Sequence, residues 1–347
     1  MLLPQPILAT AGLFDCLAKY PLGRMAEAEW AGEQLFWSRE GGVGGGSDYH
    51  EPVLVEEVLD VLGVEAGKTI LDGTLGGGGH SLRLLEGGAM VIGMDRDAEA
   101  REFAGRRLEG YGERFRAVAG NFAEMGSVVV AGSLDGVLLD LGVSSHQLDE
   151  AERGFSFQQD GPLDMRMNQE EGETAADLVN GWGEVELARI FWEFGEEKAS
   201  RRVAAAIVKR RAEKSFERTG ELADFVAETL GGRGRKHPAT RVFQALRMAV
   251  NEELASVQAG LEAAIGLLKP GGVLAVITFH SLEDRLVKHF FRARSQEWID
   301  RPEWPEPRRN PDCVFELITR KAVVADVGEI SRNPRSRSAK LRAVCKR

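Results

Sequence analysis

The feature that most constrains the fold is an alternation of short apolar runs with helical patterns. Five runs of strand length lie at residues 69–75, 90–95, 115–119, 134–141 and 273–279, and a helical pattern follows most of them. That order is typical of parallel strands joined by helices that cover both faces of a sheet. Two last apolar runs, at 313–319 and 340–346, have no helical pattern between them and predict an antiparallel pair at the sheet edge. The sequence therefore predicts a doubly wound, mostly parallel α/β fold.

A long segment without a strand pattern interrupts this alternation between residues 141 and 271. It contains helical patterns at 184–194, 198–214, 220–230 and 239–268 and is too long for one crossover connection. We therefore predict one α/β domain built from residues 49–148 and 250–347, with residues 149–249 as an inserted helical domain that binds the substrate. Because the insertion follows a strand end, we expect it to overhang the carboxyl edge of the sheet, where ligands bind in this architecture.

Residues 1–48 differ from the rest of the chain, since they lack sustained periodicity and end in a run of glycines at 41–46. Two interpretations stay open: a disordered extension, and a misassigned start with Met25 as the true first residue. The apolar beginning has no basic region before it, so a cleaved signal peptide is not predicted.

Composition restricts the compartment and the partners. No apolar run approaches the roughly 20 residues of a membrane span, so no membrane partner is expected. Three cysteines lie far apart, which predicts neither a disulfide framework nor a metal site and favours a reducing, cytoplasmic location. A formal charge of −10 argues against indiscriminate coating of nucleic acid. Two basic stretches, residues 198–214 and 331–347, could reverse this locally, although such runs are often only solvated surface.

A glycine-rich turn follows the first predicted strand and reads Asp-Gly-Thr-Leu-Gly-Gly-Gly-Gly-His-Ser from Asp72 to Ser81. Glycines let the backbone approach a ligand, and the free N–H groups of the following helix start point into the site. A phosphate-binding P-loop is excluded because no Gly-Lys-Ser/Thr follows. Asp95 ends the next strand, near the spacing at which a carboxylate accepts both hydroxyls of a ribose. Turn and acid together predict a nucleoside cofactor.

Asp72 distinguishes between two such cofactors. A carboxylate beside the pyrophosphate of a dinucleotide would be repelled, whereas one beside the cationic sulphur of S-adenosylmethionine is favoured. Phe122, after the third strand, could pack on an adenine ring, although a core role is commoner for phenylalanine. The fourth strand ends at Asp140, and the small residues after it predict the place from which the methyl group is reached. We therefore expect a methyltransferase.

Further segments, together with the loop at 72–81, resemble the bacterial ribosomal RNA small-subunit methyltransferase H family. The matching segments are residues 49–54, 139–145, 153–157, 162–167, 237–241, 277–285 and 333–339, and the resemblance covers about 49–347. It implies methylation, with S-adenosylmethionine, of the exocyclic N4 of a cytidine in the decoding region of the small ribosomal subunit RNA. It also implies that the cofactor is bound by Gly78, Gly79, His80, Asp95, Phe122, Asp140 and Gln147.

The exocyclic amine of cytosine is a weak nucleophile because its lone pair is delocalised into the ring, so positioning is the main demand on the site. An acceptor for the amine proton would help further. Many amino-methyltransferases carry Asp/Asn-Pro-Pro-aromatic after the fourth strand, and this chain has Asp-Leu-Gly-Val at 140–143 instead. The acceptor therefore stays open among Asp140, Ser144, Asp164 and His280. Structural alternatives are a turn cap for Asp140, an ion pair of Asp164 with Arg166, and a helix cap for His280.

The substrate cytosine must be unpaired, and Phe155 or Phe157 could stack on it, although both could equally belong to the core. Lys198, Arg202 and Lys209 are spaced by four and seven residues, as in a stripe that follows phosphates along one helix face. We expect them to contact RNA together with Arg166, Arg241, Arg233, Arg235, Lys236 and the basic stretch 331–347.

Two other functions fit part of the sequence. The glycine turn and Asp95 alone would also suit a nicotinamide-dependent oxidoreductase. A non-catalytic ribosome or assembly factor would keep the fold without methyl transfer. The sequence leaves a homodimer open.

Overall fold

The computed structural model describes residues 51–231 and 237–347. The helices are α1 (Val55–Leu62), α2 (Gly79–Glu86), α3 (Ala98–Leu108), α4 (Ser145–Asp149), α5 (Ala175–Gly181), α6 (Glu184–Glu193), α7 (Ser200–Arg211), α8 (Thr219–Leu230), α9 (Thr240–Val250), α10 (Glu253–Leu267), α11 (Ser281–Ser295) and α12 (Val327–Arg332). The strands are β1 (Thr69–Asp72), β2 (Met90–Asp95), β3 (Phe115–Ala119), β4 (Leu134–Asp140), β5 (Leu268–Thr278), β6 (Trp298–Ile299), β7 (Arg308–Arg309), β8 (Phe315–Leu317), β9 (Val323–Val324) and β10 (Lys340–Lys346).

The main sheet has the strand order β3-β2-β1-β4-β5-β10-β8, and β9 pairs with β10. Strands β1 to β5 run parallel to one another, whereas β10 is antiparallel to both β5 and β8. The predicted doubly wound, mostly parallel fold is confirmed, and so is the antiparallel pair at the edge. Between the members of that pair the chain also forms β9 and α12, where the sequence showed no helical pattern.

Two apolar layers cover the two faces of the sheet. Val137 and Leu139 of β4 pack in one layer, and Leu138 between them packs in the other. Successive side chains of a strand point to opposite faces, so a strand covered on both sides must be apolar at every position. This explains why residues 136–139 of β4 carry no polar side chain. The sheet is thereby rigid, and its carboxyl edge is a fixed platform for the loops that follow each strand.

The chain between β4 and β5 forms helices α4 to α10, and within the described residues it adds no strand to the central sheet. The helical pattern at 239–268 is divided into α9 and α10, because Glu252 adopts a left-handed backbone with φ of +49°. The side chain of Asn251 at this break bonds to a distant segment, donating to the carbonyl of Met165. A tertiary contact thus interrupts a helix that local periodicity would continue. The division into an α/β domain and an inserted substrate domain stays a prediction.

Some expectations concern residues outside the described ranges. These are the extension at 1–48, the alternative start at Met25, and the basic residues Arg233, Arg235 and Lys236. In the part of the chain that the structure describes, no helix is both long and apolar enough to cross a bilayer.

Candidate active site

Three carboxylates lie at the carboxyl ends of neighbouring strands. Asp72, Asp95 and Asp140 are the last residues of β1, β2 and β4, and β1 pairs with both of the other strands. Parallel neighbours end at the same edge of a sheet, so the topology brings together three acids that are up to 68 residues apart (140 − 72) in sequence.

Asp72 is 1% exposed and holds the glycine-rich turn together. One carboxylate oxygen accepts a 2.7 Å hydrogen bond from the Ser81 hydroxyl, and the other accepts from the Thr74 N–H at 3.2 Å. Burial raises the pKa of Asp72, although nearby His80 and the Ser81 hydrogen bond oppose the shift. Asp72 therefore stabilises the glycine-rich turn through its hydrogen bonds to Thr74 and Ser81.

The turn ends at Gly78, where helix α2 begins. Gly78 has φ of +74°, and a Cβ at this position would lie 3.2 Å from the Ala104 Cβ. A Cβ at Gly79 would lie 3.0 Å from the ring of Pro52. No side chain within the described ranges caps α2, so its first N–H groups are available to an anionic ligand. The carboxylate of an amino-acid cofactor tail fits this helix start.

We expect Gly78→Ala to destabilise the protein by about 1–2 kcal/mol, because an alanine there must hold a left-handed backbone. The methyl group would also crowd Ala104, so the turn should shift and cofactor affinity should fall. Urea denaturation and calorimetric titration with S-adenosylmethionine measure the two effects. Gly105→Ala is the matched control, because Gly105 lies inside α3 with nothing within 4 Å of the added methyl group. That variant should gain about 0.5–1 kcal/mol, and equal losses in both variants would contradict the assignment.

Asp95 is half-buried and directed at the same turn. One of its oxygens accepts the Gly76 N–H at 2.8 Å, and the other accepts the Asp97 N–H at 2.9 Å. Burial raises the pKa of Asp95 to about 6 despite these two hydrogen bonds. Each carboxylate oxygen can accept a further hydrogen bond, so Asp95 has capacity for the two hydroxyls of a ribose.

Asp140 faces His80 across the site. Its Oδ2 lies 3.4 Å from Nε2 of His80, outside hydrogen-bond geometry, and its N–H donates to the Thr74 hydroxyl at 2.6 Å. Among the described residues, Oδ1 of Asp140 and Nε2 of His80 have no hydrogen-bond partner. Burial by itself lowers the pKa of His80, but the carboxylates of Asp140 and Asp72 outweigh it and leave that pKa raised. A buried carboxylate oxygen without a partner is costly, so this atom is suited to a ligand donor.

Phe122 follows β3 in a short 3-10 helix, Phe122–Ser127, and is half-buried. Its ring packs against α10, where a Cβ on Gly260 would come within 2.6 Å of it. Part of the Phe122 ring therefore packs in the core. Adenine packing by Phe122 stays a prediction.

Ser144 and Gln147 cap helix α4 reciprocally. The Gln147 N–H donates to the Ser144 hydroxyl oxygen at 3.2 Å, and the Ser144 N–H donates to the Gln147 side-chain oxygen at 3.0 Å. The Gln147 side-chain nitrogen donates to Asp97 at 2.8 Å. Both ends of this amide thus have partners within the protein, and they tie α4 to the turn after β2. A cofactor contact by Gln147 stays a prediction.

His280 is buried and caps α11, as its structural alternative suggested. Its Nδ1 accepts the Glu283 N–H at 3.4 Å, and its Nε2 lies 3.1 Å from the Glu283 carboxylate, outside hydrogen-bond geometry. The pKa of Glu283 is lowered, because His280 and Arg247 outweigh the effect of its burial. The position is at the carboxyl end of β5, but both polar atoms of His280 face its own cap.

The potential ligand atoms of Glu253, His280 and Glu283 lie within 4.8 Å of one another, a grouping that the sequence did not predict. The donor set does not suit a metal ion. Arg247 already neutralises Glu253 through two hydrogen bonds of 2.7 Å. Nδ1 of His280 and one carboxylate oxygen of Glu283 already accept backbone N–H groups. The group is a buried charge network.

The predicted substrate residues are distributed over the inserted segment. Asp164 and Arg166 form a bidentate ion pair. Nε and Nη2 of Arg166 donate to Oδ1 and Oδ2 of Asp164 at 2.9 and 2.7 Å. Phe155 is 2% exposed, so burial favours the core alternative for it. Phe157 is half-buried and packs edge-on against Phe243 with ring centres 4.8 Å apart, so both alternatives stay open for it. Four of the predicted basic residues are exposed: Arg202 and Lys209 on α7, Lys198 in the turn before it rather than on the helix, and Arg241 beside Glu197. Arg166 is half-buried.

Two buried residues of this region were not among the predicted site residues. Arg153 donates to the carboxylate of Asp97, and Asn251 bonds to the backbone at Met165 and Met167. Arg153 belongs to a segment that matched the family, which was the only signal for it. For Asn251 the sequence offered none, because its partners lie more than 80 residues away.

The sheet is mostly parallel and ends in antiparallel strands, a glycine-rich turn after β1 leads into the uncapped start of α2, and an acid ends β2. Together these features define a methyltransferase that uses S-adenosylmethionine. The chain belongs to the MraW methylase family, whose sequence profile matches residues 47–347. The resemblance and the cofactor class predicted from the sequence are thereby confirmed.

The chain is similar to several proteins named ribosomal RNA small subunit methyltransferase H. The proteins from Syntrophotalea carbinolica and Geobacter sulfurreducens are 51% and 52% identical, and each alignment covers 85% of this chain and 97% of the relative. The protein from Caulobacter vibrioides is 49% identical over 85% of this chain and 94% of its own. The solved structure of an rRNA methylase from Streptococcus thermophilus aligns over 84% of this chain and 94% of its own at 10% identity and a TM-score of 0.39.

Proposed function

We propose that this chain transfers the methyl group of S-adenosylmethionine to the N4 amine of a cytidine in the decoding region of small-subunit ribosomal RNA. The observation that carries the proposal is the unpartnered Oδ1 of Asp140, at the tip of β4 beside the glycine turn. The names of the relatives support a small-subunit RNA substrate. A cytoplasmic location and a homodimer stay predictions.

The residues present suit the cofactor. The uncapped start of α2 would hold its carboxylate, Asp95 its ribose hydroxyls, and Asp140 with His80 the region near its cationic sulphur. When bound, S-adenosylmethionine supplies a methyl group on a positively charged sulphur. A carboxylate close to that charge is electrostatically favoured, which agrees with the acidic tip of β4.

Asp140 can also serve the substrate amine. An exocyclic amine that gains a methyl group must lose one proton, and the lone pair of an ionised carboxylate can accept it. Before that loss, a hydrogen bond from the amine to Oδ1 would orient the nitrogen. Asp140 is held in place for this by its backbone bond to Thr74. Ser144 and Asp164 have their polar groups engaged in a helix cap and an ion pair. His280 uses Nδ1 for a helix cap, whereas its Nε2 has no hydrogen-bond partner among the described residues, so His280 stays an alternative acceptor.

The positions of the cysteines support a nitrogen rather than a ring carbon as the target. Methylation of a pyrimidine ring carbon calls for a nucleophile such as a thiolate, to activate the ring. The two cysteines that the structure describes are Cys313, which precedes β8, and Cys345, which pairs with Val273 in the middle of β5. Asp140 pairs with Ile277 near the carboxyl end of that strand. Cys345 therefore lies four strand positions (277 − 273) from the level of Asp140 and not at the carboxyl edge of the sheet.

The experiment for the whole proposal is methyl transfer to isolated small subunits, followed by nucleoside mass spectrometry of the digested RNA. We expect N4-methylcytidine at one position. A methyl group on another base or at the ring carbon would contradict the site of transfer, and no transfer at all would favour a non-catalytic assembly factor. Binding of a nicotinamide dinucleotide in place of S-adenosylmethionine would favour the oxidoreductase.

We expect the triple variant Lys198→Ala, Arg202→Ala, Lys209→Ala to bind small-subunit RNA more weakly. Loss of up to three phosphate contacts should reduce the slope of log K against log salt by about 2–3. A salt titration of RNA binding measures this, and cofactor affinity should not change.

The exposed pair Arg308 and Arg309 on β7 offers a matched control. This strand follows α11, which begins just after the carboxyl end of β5 and leads away from it for 15 residues. Alanine at both positions should leave RNA affinity and its salt slope unchanged. If the triple variant behaves like this control, the basic residues around α7 are only solvated surface.

A further inference from the structure

A buried arginine connects the turn after β2 to the inserted segment. Arg153 is 3% exposed, and its Nη1 donates to the Asp97 carboxylate at 2.8 Å. Its Nη2 donates to the backbone carbonyls of Arg166 at 3.2 Å and of Met167 at 3.0 Å. One guanidinium group therefore joins the neighbourhood of Asp95 to the segment 164–167.

Asn251 forms a second connection to the same segment. Its Nδ2 donates to the Met165 carbonyl at 2.7 Å, and its Oδ1 accepts the Met167 N–H at 2.8 Å. The backbone carbonyl of Asn251 accepts from Nη1 of Arg96 at 3.1 Å. The turn after β2 thus reaches the segment 164–167 twice, through Asp97 and Arg153 and through Arg96 and Asn251.

The segment held in this way has a strained backbone. Met165 is fully buried and has φ of +64°, a left-handed conformation that costs a residue with a side chain about 1–2 kcal/mol. Such a conformation persists only where the surroundings determine it, and it often marks a functional position. Here it lies between Asp164 and Arg166, the two ends of the ion pair.

The turn after β2, from which both connections start, also contacts Asp95 of the cofactor site. The Asp97 N–H donates to Oδ1 of Asp95, and Asp95 accepts the Gly76 N–H through its other oxygen. A ligand that binds Asp95 therefore restricts the backbone from which Arg96 and Asp97 project. Buried hydrogen bonds to charged groups transmit such a restriction, because breaking them would leave unpaired groups in the interior.

We propose that Arg153 and Asn251 are positioning residues. They hold the segment 164–167 at a fixed position relative to the turn after β2, so that Asp164 and Arg166 face the RNA. The proposal rests on the proposed function, because these two residues are taken to face the substrate. Arg153 and Asn251 act through the segment and do not touch the reacting atoms.

The first test is Arg153→Lys, which keeps a positive charge beside Asp97 and removes the fork that reaches two carbonyls. We expect kcat/KM for small subunits to fall roughly 10- to 100-fold, since misplacement of a positioning contact can cost up to about that much. The Kd for S-adenosylmethionine should stay within about twofold, because this variant leaves the bonds of Asp95 intact. Asn251→Asp, which keeps the acceptor for Met167 and removes the donor to Met165, should change kcat/KM in the same direction.

Arg294→Lys is the matched control. Arg294 is also a largely buried arginine that pairs with two carboxylates, Glu262 and Asp312, but it lies at the far end of α11. This variant should keep the kcat/KM of the wild type. Its stability loss shows how much of any effect comes from removing a buried guanidinium group in general.

Hydrogen exchange on the wild-type protein gives a readout that a merely structural role would not move. We expect S-adenosylhomocysteine to slow exchange of the backbone amides at 165–167, and Arg153→Lys to abolish this protection while the ligand still binds. The proposal would be overturned if S-adenosylhomocysteine left the wild-type exchange at 165–167 unchanged, or if kcat/KM stayed within twofold of the wild type in both variants. It would also be overturned if the variants lost cofactor affinity by the same factor as kcat/KM. If a variant fails to fold, the wild-type exchange experiment decides alone. If the wild type transfers no methyl group at all, it is the proposed function that fails.

Discussion

Asp140→Asn should transfer methyl groups roughly 100- to 10,000-fold more slowly than the wild type at saturating cofactor and subunit, which is the usual contribution of a proton acceptor. Asparagine keeps the size of the side chain, and the backbone bond from residue 140 to Thr74 does not depend on the side chain. The amide has no negative charge and cannot take up the amine proton. Single-turnover transfer of a labelled methyl group measures the effect without a contribution from product release.

Cofactor affinity separates the two roles of Asp140. If the carboxylate only attracts the cationic sulphur, its loss should raise the Kd for S-adenosylmethionine and leave the rate at saturation nearly unchanged. Asp135→Asn is the control, because Asp135 lies near the other end of β4 and pairs there with Lys269 at 2.7 Å. That variant should keep the wild-type rate. A rate for Asp140→Asn within tenfold of the wild type would place the acceptor elsewhere.

Asp95→Ala should weaken S-adenosylmethionine binding by about 100-fold or more, since it removes two hydrogen bonds to a charged acceptor worth about 1.5–3 kcal/mol each. It also removes the acceptor for the Gly76 N–H, so the glycine turn loses its connection to β2. The affinity of Asp95→Asn for S-adenosylmethionine should lie between those of the wild type and Asp95→Ala, because an amide retains one acceptor oxygen. Calorimetric titration measures both variants, and a Kd within threefold of the wild type for Asp95→Ala would show that the ribose is not held here.

The raised pKa of Asp95 predicts how binding depends on pH. Its carboxylate is ionised above about pH 6, so it accepts hydrogen bonds fully there and progressively less below. Cofactor affinity should therefore fall as the pH is lowered through 6, and this step should be absent in Asp95→Ala. An affinity that does not change between pH 7.5 and 5 in the wild type would contradict the assignment.

The stability of the free protein should respond in the opposite direction. A folded pKa above the usual 3.8 means that the folded state holds the proton more tightly than the unfolded chain. The contribution of Asp95 to stability is therefore present at low pH and is lost as the pH rises from about 4 to 6. Its burial thus makes the ionised carboxylate unfavourable until a ligand supplies donors.

Local patterns in the sequence were sufficient for the sheet and its cofactor edge. The central strands β1, β4 and β5 were predicted from apolar runs because they are buried on both faces, whereas the edge strand β3 is partly exposed. Asp95 and Asp140 were found because each ends such a run. The turn at 72–81 was recognisable because positive φ and close approach require glycine. These features depend on residues adjacent in the chain, where spacing alone predicts geometry.

Contacts between distant residues decided the rest. The break between α9 and α10 follows from bonds between Asn251 and a segment more than 80 residues away, and no periodicity indicates it. The caps formed by Gln147 and His280 use side chains that the sequence suggested for ligands. Which of two possible partners a polar side chain takes depends on the donors and acceptors that folding brings to it. The sequence by itself therefore determined the fold class, the cofactor edge and the family, whereas only the tertiary structure decided which polar groups remain free for chemistry.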